Sequence, residues 1–213
     1  MIRRQAVIVG LAAGAAALIA IPSAMAAGSI HYTIKSGTHT KGTTSYKATT
    51  TKIKFRDVNT KTNMGCKGGT ASGSLTLGKN VSPTKAGKIG KTTWKSCSGP
   101  GGLKLVPKQM QTWTLNGNGK TNSKGVTKVY VAKVKANVQA SPTPSLCKFT
   151  VTGAADGTFT NKTQVLALKP GHHRLKVSNV KGCLGQINNG DTVQFTANYK
   201  VKAKDGKVTI KSH

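Results

Sequence analysis

Thr192-Val193-Gln194-Phe195-Thr196-Ala197-Asn198-Tyr199-Lys200-Val201-Lys202-Ala203-Lys204-Asp205-Gly206-Lys207-Val208-Thr209-Ile210 decides the fold class. Val193, Phe195, Ala197, Tyr199, Val201 and Ala203 share one parity, and Lys200, Lys202 and Lys204 the other. This period-two pattern belongs to a strand with one buried and one wet face. Asp205-Gly206 is a two-residue turn signal, so Val208 and Ile210 are expected to return against the strand as a hairpin.

The same alternation recurs upstream. Ile30, Tyr32 and Ile34 alternate with His31, Thr33 and Lys35, while Ile53 and Phe55 alternate with Lys52, Lys54 and Arg56. Tyr130, Ala132, Val134, Ala136 and Val138 are read as one face, with Lys133 and Lys135 on the other. Further strands are expected around Ala71 to Leu77, Leu103 to Val106, Thr112 to Leu115, Phe149 to Thr152, Gln164 to Leu168 and Leu175 to Val180. Gly99-Pro100-Gly101-Gly102, Asn116-Gly117 and Asn189-Gly190 read as turns, and the Thr-rich region from Thr38 to Thr51 as a loop or exposed edge. Past the N-terminal region no apolar stripe at helical spacing is sustained, so the expected fold is all-β, an antiparallel β-sandwich.

The N-terminus carries a different signal. Arg3 and Arg4 precede an apolar run from Ala6 to Ile21, then Pro22 and the small-residue site Ala24-Met25-Ala26. That pattern is a secretory signal peptide, residues 1–26, expected to be cleaved. The run is shorter than the roughly 20 residues a spanning helix needs, and the first cysteine is Cys66, far from the site where a lipid would attach. Residues 27–213 are then a released product with no membrane anchor, secreted to the medium or held at the cell wall.

Of 33 Lys+Arg only Arg3 and Arg4 lie in the signal, leaving 31 bases against 4 acids, a net +27. The acids are Asp57, Asp156, Asp191 and Asp205, and there is no Glu. Beyond the signal the bases are all Lys except Arg56 and Arg174. Lysine is a hydrated point charge without the guanidinium fork, so such a surface suits diffuse attraction better than geometric readout of one phosphate.

Cys66, Cys97, Cys147 and Cys183 form an even set in a chain read as exported, which favours two disulfides. Zinc is the rival reading, but no C-x-x-C pair is present and none is expected to bind. Trp94-Lys95-Ser96-Cys97-Ser98-Gly99 and Val180-Lys181-Gly182-Cys183-Leu184-Gly185 share a pattern, and Cys66 and Cys147 are each followed by lysine. This weak repeat favours Cys66–Cys97 and Cys147–Cys183. It also suggests two similar halves, residues 27–140 and 145–213, joined through Ser141-Pro142-Thr143-Pro144.

Cys97-Ser98-Gly99-Pro100-Gly101-Gly102-Leu103, Trp113-Thr114-Leu115-Asn116, Gly125-Val126-Thr127 and the run from Val180 to Asp191 resemble a family of actinobacterial exported β-proteins. The resemblance implies export and disulfides. The family has no assigned activity, so no catalytic residue is carried over. Its members look closer to neutral, which puts the lysine load at the centre of a functional reading.

The chemistry-bearing residues offer no catalytic constellation. A paired-carboxylate site would require two of the four aspartates to converge. Asp156, Asp191 and Asp205 read as turn residues and Asp57 as a strand end paired with a lysine. His172 and His173 follow Pro170-Gly171 in a loop, no G-x-S-x-G elbow occurs, and Gly90-Lys91-Thr92 is a chance echo of a phosphate loop. Trp94 and Trp113 read as core aromatics rather than stacking platforms.

The expected function is therefore non-catalytic and without cofactor. It is electrostatic association of lysine-rich strand faces, Lys52, Lys54, Arg56, Lys133, Lys135, Lys200, Lys202 and Lys204, with anionic polymers. Teichoic-type wall polymer, extracellular DNA and anionic glycan are the candidate partners. Sparse aromatic interleaving argues against sequence-specific nucleic-acid recognition. The alternatives are a carrier of a small apolar ligand, a protein-binding inhibitor and, least favoured, a hydrolase.

Overall fold

Strand formation follows the alternating pattern almost throughout residues 30–213, the part that the computed structural model describes. The expected signal peptide, residues 1–26, lies outside the described residues. The strands are β1 (Tyr32–Ser36), β2 (Gly42–Thr50), β3 (Ile53–Asp57), β4 (Asn63–Val81), β5 (Gly87–Ser98), β6 (Lys104–Gln109), β7 (Trp113–Thr121), β8 (Val126–Ala140), β9 (Cys147–Thr160), β10 (Val165–Leu168), β11 (Leu175–Gly182), β12 (Thr192–Ala203) and β13 (Val208–Ser212). Every strand pairing is antiparallel, and short 3-10 turns occupy some of the connections.

The two layers expected of a sandwich are joined along both edges, so the sheet closes on itself. Long strands β4, β5, β8, β9 and β12 run through two tiers. In one tier the ring is completed by β3, β11 and β6, and in the other by β2, β10 and β7. The β4–β5 ladder, from Gly65↔Ser98 to Leu75↔Gly87, closes both rings. Except along residues 90–96 of β5, closure removes the ring's exposed hydrogen-bonding edges, which invite aggregation. Alternation reveals which side chains face inward but not whether the layers join, because that depends on pairing partners remote in sequence.

Both disulfides lie toward the β3/β6/β11 end. Cys66 and Cys97 are register partners on β4 and β5, and Cys147 at the start of β9 bonds Cys183 just after β11. Residues 27–140 and 145–213 thus each contribute one bridge, while their strands share one continuous core. Ser141-Pro142-Thr143-Pro144 forms the connection between adjacent β8 and β9, with a cis Ser141–Pro142 peptide.

The opposite end is capped by β1 and β13. The expected return of Val208 and Ile210 against β12 does not occur: beyond the Ala203↔Gly206 bridge, β13 diverges and pairs with β1. Side chains take the place of a neighbouring strand along its other edge. Val208 N–H donates to Gln164 Oε1 at 2.7 Å, and Gln164 Nε2 donates to the Val208 carbonyl at 2.8 Å. Asn161 makes the same two-way contact with Ile210, at 2.9 Å each way. Thr121 N–H donates to Ser212 Oγ, and Ser212 N–H to Thr121 Oγ1. Polar residues on β7 and after β9 therefore draw β13 across the mouth of the barrel.

Other expectations are corrected. Thr38 to Thr51 is chiefly β2, a strand paired on both sides, with Thr44, Tyr46 and Ala48 buried. Asn116-Gly117 is no turn but the middle of β7. Gly117 lies against the Tyr32 ring, where a Cβ would not fit. On β8, a bulge at Lys133, φ 56°, reverses the parity, so Val129 and Val131 face inward before it and Val134, Ala136 and Val138 after it. Tyr130 and Ala132 thus do not share the inward face. β5 lacks an uninterrupted apolar parity and is not evident in the sequence.

Candidate functional site

All lysines and arginines in the described residues are exposed. Among these residues none forms an ion pair with a carboxylate; the His173–Asp156 contact involves no lysine or arginine. The few acids are turned to structural tasks. Asp57, fully buried, accepts the N–H groups of Asn59 and Thr60 at 2.8 and 3.0 Å. Its expected lysine partner is replaced by these backbone donors. Asp191, buried beside it, accepts from Asn188 N–H at 2.7 Å, consistent with its turn role.

Asp57 and Asp191 are the two carboxylates that converge. Burial raises the Asp57 pKa, and the neighbouring Asp191 carboxyl raises it further, against the opposing backbone donors. Both carboxyls are buried, which leaves no open cleft between them for a sugar ring and water.

Asp156 is not in a turn but in mid-β9, opposite Tyr130 on β8. Its carboxylate accepts from His173 N–H at 2.8 Å and lies 2.6 Å from His173 Nδ1, while the imidazole stacks on Tyr130 at 4.3 Å. Burial pushes this carboxyl up, but the ring and backbone contacts from His173 outweigh it and hold the pKa low.

The eight cationic residues expected to bind divide between two walls. Lys200 and Lys202 on β12 neighbour β2, while Lys54 and Arg56 on β3 neighbour the other half of β12. Lys52 and Lys204 flank these strands. Lys54 and Arg56 border an open depression of about 500 Å³ with Asn63, Gln194 and Thr196. Lys133 and Lys135 lie instead on β8, separated from β12 around the ring by β9 and β10/β11. Lys47, which alternation alone does not single out, stands directly opposite Lys202 across the β2–β12 ladder. A second like-charged pair, Lys148↔Lys181, spans β9 and β11. Directly opposed like charges destabilise a sheet. Only long-range register could have exposed these pairs in advance.

Inside the ring lies an almost wholly apolar cavity of about 70 Å³, whose lining includes Tyr46, Phe55, Trp94, Trp113, Phe195 and Tyr199. It abuts a surface groove of about 580 Å³, with Thr92, Trp94 and Pro107 lining both. The wall is thin here because β5 pairs β7 at Gly87–Ile89 and β6 at Cys97–Ser98, leaving residues 90–96 with a strand neighbour only on the β4 side. Gln109 bridges the seam: Thr92 Oγ1 donates to its Oε1 at 2.9 Å, and its Nε2 donates to the Ile89 carbonyl at 3.0 Å. The tryptophans, partly buried rather than full core residues, stand 6.3 Å apart.

Among the described residues no cluster of three or more His, Cys, Asp or Glu side chains could hold a metal ion. No described helix is long and apolar enough to cross a membrane. The two disulfides suit an oxidising environment. Comparison with known proteins finds no matching family model, no matching curated protein and no matching solved structure.

Proposed function

We propose that this is an exported, non-catalytic protein that associates with anionic polymers of the cell envelope or its surroundings through exposed lysine faces. The observation that carries the reading is the distribution of charge. Among the described residues the Lys and Arg side chains are exposed and unpaired with carboxylates, while Asp57 and Asp191 are buried and Asp156 is engaged by His173. The directly opposed Lys47–Lys202 and Lys148–Lys181 pairs cost stability in the isolated protein, and a bound polyanion relieves that repulsion. The twice-bridged barrel keeps the strands that carry the charges arrayed, so binding needs no backbone ordering.

The β12–β2/β3 wall is the principal contact surface. It gathers Lys47, Lys52, Lys54, Arg56, Lys200, Lys202 and Lys204, whereas Lys133 and Lys135 form a secondary patch on β8. Polymer binding releases condensed counterions, so affinity falls with salt. The test measures binding to poly(glycerol phosphate), double-stranded DNA and neutral dextran across a salt series. Steep salt dependence is expected for both anionic polymers and no binding to dextran. Replacing Lys47, Lys200 and Lys202 together by Gln should reduce the log–log slope on DNA by about 0.9 for each phosphate that the variant no longer neutralises. Salt-indifferent binding, or equal binding to dextran, would sink the proposal.

A further inference from the structure

We infer that the barrel interior is a binding site for a small neutral molecule with an apolar body and one hydrogen-bond acceptor, admitted through the seam between β5 and the β6–β7 connection. Three independent observations meet at this place. The cavity is nearly devoid of polar surface, so it favours an apolar body over a charged one. The wall beside it lacks strand pairing over residues 90–96 on the side facing β6 and β7. The Trp94 indole N–H is shielded from solvent and has no acceptor among the described residues.

An orphaned buried donor costs stability, and an acceptor supplied by a ligand would remove that cost. At about 70 Å³ the cavity is roughly half the size of one that takes up benzene, so it holds a short alkyl group or part of a ring. The remainder of the molecule extends past Trp94 and Pro107 into the larger groove. Gln109 holds the two sides of the seam together by side-chain bonds alone. Opening it breaks no strand ladder, which makes this the easiest entrance through the wall. The site is separate from the lysine wall in chemistry and does not rest on polyanion association.

Trp94 and Trp113 are the only tryptophans in the chain, so their emission reports on this place without a label. The oxidised protein is titrated with acetophenone, a neutral aromatic ketone, and with toluene, which lacks the acceptor, in low and high salt. Binding is read both from tryptophan emission and from chemical shifts of the ligand. Saturable binding of acetophenone, unchanged by salt and tighter than that of toluene, is expected. Trp94→Phe should weaken acetophenone about five- to tenfold while leaving toluene little changed. Ala155→Leu, which fills the cavity from β9, should abolish uptake of both. No saturable response to acetophenone overturns the inference. So does toluene binding as tightly as acetophenone in the parent, a comparison that needs no variant to fold.

Discussion

Gln164→Leu tests whether side chains truly serve as the missing strand beside β13. Gln164 is buried, and its amide satisfies both polar groups of Val208, itself 1 % exposed. Leucine has similar bulk and no β-branch, so it keeps the volume at a residue whose φ is 56° but cannot exchange either hydrogen bond. Leaving a buried donor and a buried acceptor unmet costs about 1–3 kcal/mol each. Allowing for the gain from burying leucine, the expected loss is about 2–4 kcal/mol. Asn161→Ala removes two bonds, both to Ile210, whereas Gln164 also donates from Nε2 to the Asn161 carbonyl. Asn161 is only half-buried, and its truncation lets water reach those groups, so the expected loss there is about 1 kcal/mol. Urea unfolding with both disulfides intact gives the two values, and hydrogen exchange at Val208 and Ile210 locates the change. If Gln164→Leu costs under about 1 kcal/mol, or no more than Asn161→Ala, the side-chain strand contributes little and the reasoning fails.

Asp57 makes a pH-dependent prediction. Because its pKa is raised in the fold, the native state holds a proton more tightly than the unfolded chain. Its contribution to stability should therefore fall as pH rises from the unfolded carboxyl value, about 3.9, through the higher folded value. Asp57→Asn, which can still accept from Asn59 and Thr60 and can donate to Asp191, should be at least as stable as the parent at pH 7, with its advantage shrinking on acidification; denaturation midpoints across pH measure this. Replacing Cys66 and Cys97 together by Ala removes a cross-link of sequence separation 31, and calorimetry should show a loss of about 3–4 kcal/mol. Gly117→Ala places a methyl group against the Tyr32 ring and should cost about 1–3 kcal/mol in chemical denaturation, whereas alanine at open, exposed Gly90 should change far less.

The parts of the fold legible in the sequence are those governed by neighbours along the chain. Val193 to Val201 on β12 faces inward as its alternation requires, and Gly99 to Gly102 turns as its composition requires. The disulfide pairing is suggested by the local likeness around Cys97 and Cys183. What stays hidden depends on distant partners. Asn116-Gly117 has the composition of a turn, yet the Tyr32 ring and the β8 ladder hold it in a strand. Lys133 interrupts an apparently regular alternation with a bulge, so Tyr130 meets His173 outside instead of the core. For the candidate site, exposure of Lys200 and Lys202 follows from parity, but the opposition of Lys202 and Lys47 needs register. The cavity is still less visible, since its wall is assembled from strands all around the ring.

The β1–β13 cap joins the most distant parts of the described chain: His31 N–H donates to the His213 carbonyl at 3.2 Å, and His213 N–H returns the bond at 3.0 Å. In topological terms the domain is a loop of chain cut at an arbitrary point. A circular permutant that links residue 213 to residue 31 and opens at the exposed Ser123–Lys124 turn would make the β1–β13 pairing a local hairpin and the β7–β8 hairpin the pairing of its new chain ends. Its refolding should therefore accelerate little while the same barrel and cap are preserved, because one remote pairing is exchanged for another.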